Sequence, residues 1–164
     1  MGPGGDETLR RVLFLCTGNS CRSQMAEAIV NARMGGDWQA FSAGTRPAGY
    51  VHPNALRALT EIGIAHSGQS KGAEEFRGQP FDLVVTVCDD AAGDCPVWLP
   101  APGTQAQGGQ GQRAHLSFPD PAKAVGSDEE VMAAFRSVRD DIARRVTALL
   151  AIRGADPKMG SPPG

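Results

Sequence analysis

VLFLCTGNSCRSQMAEAIVNA, residues 12–32, decides the fold. Val12-Leu13-Phe14-Leu15 is a short apolar run, CTGNSCRS is a turn rich in small and polar residues, and Met25, Ala28, Ile29 and Ala32 then recur at helical spacing. Gly35-Gly36 stops that helix. A strand joined to a helix by a compact loop is the opening unit of a parallel α/β fold.

The same alternation continues outward. Trp38, Gln39, Ala40, Phe41 and Ser42 read as a second strand. His52-Pro53 opens a helix with proline in its first turn, Leu56 and Leu59 face one way, and Gly63 closes it. FDLVVTVC at 81–88 is β-branched and nearly unbroken in apolarity, as a strand buried on both faces requires. Residues 114–118 form a weaker fourth strand. Ser127 with Glu130 makes a capping box, and Val131, Phe135, Val138, Ile142, Val146 and Leu149 step by threes and fours along a final helix. The expected architecture is a four-stranded parallel sheet with helices on both faces, flavodoxin-like in its layering. Functional groups in such folds lie outside the carboxyl ends of the strands. Cys16 ends the first strand and Cys88 the third, so both are expected on one rim.

The loop between the first strand and helix carries the chemistry. A C-x5-R spacing at a helix start can wrap backbone N–H groups around a tetrahedral oxyanion, with the helix's unpaired amides and dipole adding positive potential. Gly18 and Asn19 tolerate the backbone angles such a cradle needs. Arg22 supplies a planar fork for two oxygens, and Ser23 can direct its hydroxyl at the Cys16 sulfur. Cys16 in that field is expected to be a thiolate nucleophile. The oxyanion-binding set is therefore Thr17, Gly18, Asn19, Ser20, Cys21 and Arg22, with Cys21 contributing backbone rather than thiol. Asp120, between Pro119 and Pro121, is either a plain turn aspartate or a carboxyl held over the oxyanion as a general acid. His52, His66 and His115 read as surface or capping residues.

Composition narrows the function further. In 164 residues, 16 basic and 18 acidic side chains leave a net charge of −2, no basis for nucleic-acid binding or a polybasic membrane anchor. No apolar run approaches the roughly 20 residues of a membrane span, and no signal-peptide core is present. A single domain over 11–153 is expected, between flexible tails at 1–10 and 154–164, with a flexible surface loop at 102–112 (PGTQAQGGQGQ). The chain reads as a cytoplasmic monomer. Its four cysteines, Cys16, Cys21, Cys88 and Cys95, then belong to thiol chemistry or metal ligation rather than structural disulfides. Zinc fits poorly, because the x4 and x6 gaps match the usual ligand spacing only in part; no metal is expected.

VLFLCTGNSCRSQMAEA resembles the phosphate-loop segment of the low-molecular-weight protein tyrosine phosphatase superfamily, and within it the thioredoxin-coupled arsenate reductases. FSAGT at 41–45 and SFPDPA at 117–122 fit in order. Gln24, where the phosphatases usually have proline, and the small Ala122, where they usually have an aromatic, both agree with the reductases. The resemblance implies that Asp120 is the general acid. It also implies a relay: Cys16 attacks arsenate, Cys88 attacks Cys16 and releases arsenite, and Cys95 moves the disulfide to Cys88–Cys95, where thioredoxin reduces it. The relay requires residues 89–98 to rearrange. No tightly bound cofactor is expected. Asn19, Glu27 and Ser42 match three side chains of a potassium site found in some reductases, but the fourth, acidic ligand has no counterpart in 66–71. Two other readings remain open: a phosphatase acting on phosphotyrosine, and a non-catalytic oxyanion or redox sensor.

Overall fold

A computed structural model describes residues 10–16, 18–76, 81–88 and 112–154. Thr17, Cys95, the segment 89–98, residues 102–111 and most of both tails lie outside the described residues, so the expectations for them are not addressed.

Four strands, β1 (Arg10–Cys16), β2 (Trp38–Gly44), β3 (Leu83–Cys88) and β4 (Gln112–Phe118), form one sheet in the order β2-β1-β3-β4. Every pairing is parallel. The helices are α1 (Arg22–Arg33), α2 (Pro53–Glu61) and α3 (Asp128–Gly154), with short 3-10 turns at Ala73–Phe76 and Pro121–Lys123. Arg10 is not tail: it pairs with Trp38, and its N–H donates to the Asp37 carbonyl at 3.0 Å. β4 likewise begins at Gln112, two residues before the expected start.

β1 is central and buried on both sides, so its pleat feeds two cores. Val12, Phe14 and Cys16 join the core that takes in α1, α2 and α3. Leu13 and Leu15 join a smaller core with Ala43, Ala73, Phe76, Phe81 and Val84. Both faces are thus covered, one by three α-helices and the other, among the described residues, by the Ala73–Phe76 turn. There Phe41, Phe76 and Phe81 pack edge to face, with centroids 5.6–5.8 Å apart.

The helices follow their sequence signals with informative departures. His52 caps α2, its Nδ1 accepting from Asn54 N at 3.1 Å, and Pro53 occupies the first turn. Gly63 ends the segment at φ +83°, where a side chain would be strained. In the capping box of α3, Ser127 N donates to Glu130 Oε1 and Glu130 N donates to Ser127 Oγ. The buried stripe of α3 runs through Met132, Phe135, Ile142, Val146 and Leu150 rather than Val131 and Leu149. The 3.6-residue period fixes a stripe only to within a neighbouring position over so many turns. Ala32 of α1 is exposed, whereas Arg22, Ser23, Gln24, Met25 and Ala26 are all buried. The start of α1 is enclosed on every side, and those polar side chains must find partners inside the protein.

Candidate active site

The strand order reverses direction at β1: the chain steps outward to β2 on one side and to β3, then β4, on the other. The crevice at the carboxyl ends of β1 and β3 is therefore where a parallel sheet of this order opens for a ligand. Cys16, 2% exposed, sits there at the end of β1, and the loop at 18–21 leads from it into α1.

The loop is tethered by its carbonyls. Thr45 N donates to Cys16 O (3.0 Å), Ala48 N to Gly18 O (2.8 Å) and His52 N to Ser20 O (3.0 Å). Ser70 Oγ also donates to Gly18 O, at 2.9 Å. The Asn19 carbonyl accepts from Gln24 Nε2 at 3.1 Å. In a trans peptide the N–H points opposite to the C=O. Carbonyls drawn outward to the scaffold thus turn the amides of Asn19, Ser20 and Cys21 toward the inside of the loop, ready to meet an anion.

Asn19 is the residue that bends the loop. Among the described residues it alone, apart from glycines, has a positive φ, at 51°. That conformation is unfavourable for most side chains but tolerable for asparagine. Its fully buried side chain is locked: Oδ1 accepts from Lys71 N (2.9 Å) and Gln24 Nε2 (2.9 Å), and Nδ2 donates to Ser23 Oγ (2.8 Å).

Arg22 begins α1 and is 8% exposed. Its Nη1 donates to the Phe118 carbonyl at 3.1 Å, and its Nη2 lies 3.5 Å from Asp120 Oδ2. Its Nε is buried and makes no hydrogen bond. A buried cationic N–H without an acceptor is costly, on the order of 1–3 kcal/mol; an oxyanion seated against the loop amides would satisfy it. Asp120 starts the Pro121–Lys123 turn, its Oδ1 accepting from Ala122 N at 2.9 Å, so the proline-flanked carboxyl is held beside the guanidinium.

Cys21 caps α1 without a side-chain hydrogen bond to the helix. Burial, then the Asp120 charge, pushes its thiol up to about 12, so at neutral pH it is uncharged and a poor nucleophile. No disulfide joins Cys16 and Cys21. Burial holds His52 below the ordinary histidine value, against the pull of Asp120.

Of the site residues read from the sequence, Cys16, Gly18, Asn19, Ser20, Cys21, Arg22, Ser23 and Asp120 are brought together at one strand end. Cys88 ends β3 on the same rim; its side chain, like Thr17 and Cys95, lies outside what is described. The sequence did not reveal the segment at 45–52 as a scaffold for the loop, nor Ser70 and the Lys71 amide as its tethers. His66, read as a surface residue, is half-buried, with Nε2 2.7 Å from Gln24 Oε1. The three potassium-site matches are engaged with one another or with the scaffold: Ser42 Oγ donates to Glu27 Oε1, and Asn19 as above.

The family described as low molecular weight phosphotyrosine protein phosphatase matches residues 11–156. The chain belongs to that family. It is 46% identical over 136 residues to the arsenate reductase of Halalkalibacterium halodurans, covering 82% of this chain and 91% of that one. It is 43% identical to the arsenate reductase of Bacillus subtilis, with the same coverage. Among solved structures it is similar to an arsenate reductase in its oxidized state, with a TM-score of 0.69 and 28% identity over 87% of this chain and 98% of the other. An arsenate reductase in a phosphate-binding state gives 0.66, with the same identity and coverage.

Proposed function

We propose that this protein reduces arsenate to arsenite, with Cys16 as nucleophile and a dithiol relay through Cys88 and Cys95 that thioredoxin resets. The observation that carries the reading is the Cys16 loop: carbonyls drawn outward, amides turned inward, and a buried Arg22 Nε without an acceptor at the residue that follows the loop. Such a cradle suits a tetrahedral oxyanion, arsenate or phosphate alike, and the named relatives are arsenate reductases.

In this account arsenate is held by the loop amides and Arg22, and the Cys16 thiolate attacks arsenic. One oxygen departs as water after protonation by Asp120, leaving a Cys16 sulfur–arsenic(V) bond. The Cys88 thiolate then attacks the Cys16 sulfur. The S–S bond forms, the sulfur–arsenic pair stays on arsenic, and arsenic(III) leaves as arsenite. Two thiols have lost two electrons and arsenic has gained them. Attack by Cys95 on Cys88 returns Cys16 as a thiol and leaves Cys88–Cys95 oxidised, for a thioredoxin dithiol to reduce.

The first exchange requires movement at the end of β3. Leu15 pairs with Thr86 across the β1–β3 ladder, so Cys16 stands opposite Val87 and Cys88 lies one residue beyond. A strand spacing of ~4.8 Å and a rise of ~3.3 Å put the two Cα atoms about 6 Å apart, but successive strand residues face opposite ways, so the chain at Cys88 must turn toward Cys16 before a disulfide can close. Potassium has no step in this account. Asn19 Oδ1 already accepts two N–H donors and Glu27 takes the Ser42 hydroxyl, so a cation at these side chains would compete with hydrogen bonds already made. Thiols that must return to the reduced state suit the cytoplasm.

Phosphotyrosine hydrolysis is the second reading, favoured by the family description and by the Arg22–Asp120 pairing. The two are separated by counting arsenite released with thioredoxin, its reductase and NADPH present. The relay predicts many turnovers for the parent and at most one equivalent for Cys88→Ser or Cys95→Ser. Multiple turnovers by either variant would overturn the relay. An oxyanion sensor predicts no turnover by the parent.

A further inference from the structure

Three segments border the Cys16 loop: 45–52 after β2, 66–72 before the Ala73–Phe76 turn, and 119–122 after β4. Their fully charged side chains are Arg46, Lys71 and Asp120. Asp120 is already engaged, with Oδ2 3.5 Å from Arg22 Nη2. Burial holds His52 and His66 below the ordinary histidine value, so neither adds appreciable charge at neutral pH. Arg46 stands between two of the loop's tethers, Thr45 N to Cys16 O at 3.0 Å and Ala48 N to Gly18 O at 2.8 Å. Neighbouring Cα atoms are ~3.8 Å apart, so the Arg46 Cα lies within about 8 Å of the Cys16 carbonyl oxygen. Its side chain is exposed and makes no ion pair or hydrogen bond among the described residues. Lys71 lies on a second bordering segment, its carbonyl accepting from Gly44 N at 2.8 Å. Its Nζ donates to the Gln69 carbonyl at 2.7 Å, a contact that leaves the ammonium charge uncompensated.

We propose that Arg46 and Lys71 recruit oxyanions to the Cys16 loop as uncompensated surface cations at its rim, a recognition role separate from that of the buried Arg22. This rests on the reading of Cys16 as the nucleophile of an oxyanion site. Neither cation needs to touch the bound anion. Their field raises the local concentration of arsenate or phosphate at the mouth and speeds its arrival. Pairing decides the range of that field. A guanidinium locked to a carboxylate would present only a dipole, whereas an unpaired one keeps its full charge at every working pH. Salt limits its reach, to about 8 Å at physiological ionic strength and about 30 Å at 0.01 M. The Cys16 sulfur falls inside the low-salt range of Arg46 whichever rotamer the side chain adopts.

The test compares alkylation of Cys16 by iodoacetate, an anion, with that by iodoacetamide, its neutral counterpart, the label being located by mass spectrometry. The ratio of the two rates reports the potential at the sulfur and cancels changes in its nucleophilicity or exposure. At ~10 mM ionic strength, one unit of charge roughly 10–15 Å away in water alters that ratio about 1.5-fold. Arg46→Gln and Lys71→Gln should each lower it by that factor. Arg46→Glu moves the charge by two units and should lower it roughly twofold or more. In ~0.5 M salt all the ratios should converge on that of the parent. A ratio for Arg46→Glu within about 1.2-fold of the parent at low salt overturns the proposal. So does a fall that persists undiminished in high salt, which would mark a change of shape rather than of field. A parent whose Cys16 neither reagent labels at neutral pH would instead overturn the nucleophile reading itself.

Discussion

Replacing Arg22 by lysine keeps the charge and removes the fork. In the parent the guanidinium holds the Phe118 carbonyl with Nη1 and faces Asp120 with Nη2, while Nε is buried without an acceptor. That third donor is the one that an oxyanion would engage. An ammonium is a point charge on a flexible stem and cannot occupy all three directions at once. The loss is one charge-assisted hydrogen bond to the anion, about 1.5–3 kcal/mol. At ~1.4 kcal/mol per decade this is roughly 10- to 150-fold in affinity. Folding should suffer less, because the variant also loses the unsatisfied Nε. The assay is phosphate affinity by calorimetry, with protection of Cys16 from alkylation as a second measure, and denaturant midpoints recorded alongside. A lysine variant that binds phosphate within about threefold of the parent would refute the assignment of Nε to the anion.

Other consequences are equally open to measurement. Asn19→Ala removes three side-chain hydrogen bonds at a φ of 51° and leaves the Lys71 N–H without its acceptor; urea unfolding should show a loss of about 2–4 kcal/mol. Cys21→Ala should leave arsenite production within about twofold, since the thiol is uncharged at neutral pH and only the backbone faces the ligand. The Cys21 thiol is raised in the folded state from 9.0 to about 12, so it favours folding fully below pH 9 and progressively less as pH rises toward 12. The parent's denaturant midpoint should fall in that window more steeply than that of the alanine variant. Ile142→Ala, at a position with no exposure on α3, should cost about 2–5 kcal/mol in the same unfolding experiment.

The sheet was legible because β1 and β3 are buried on both faces and read as apolar runs, and α2 and α3 because their N-terminal caps are written in local chemistry. The Cys16 loop was legible because the residue types that suit an anion cradle, Gly18, Asn19 and Arg22, fall within five positions of one another. Its supports were not. The Thr45, Ala48 and His52 amides and the Phe118 carbonyl act through backbone atoms, which leave no mark on side-chain identity. His66 and Gln24 are 42 positions apart, and nothing local distinguishes a histidine that orders a buried amide from one that faces solvent. The choice between Val131 and Met132, or Leu149 and Leu150, likewise depends on how α3 lies on α1 and α2, a tertiary fact.

The most direct measurement is disulfide mapping by mass spectrometry after a single arsenate turnover without reductant, with arsenite counted in the same sample. The account predicts one arsenite per chain, a Cys88–Cys95 disulfide, and Cys16 and Cys21 recovered as thiols. Arsenite appearing with Cys16 bonded to Cys21, or with all four cysteines still reduced, would contradict it.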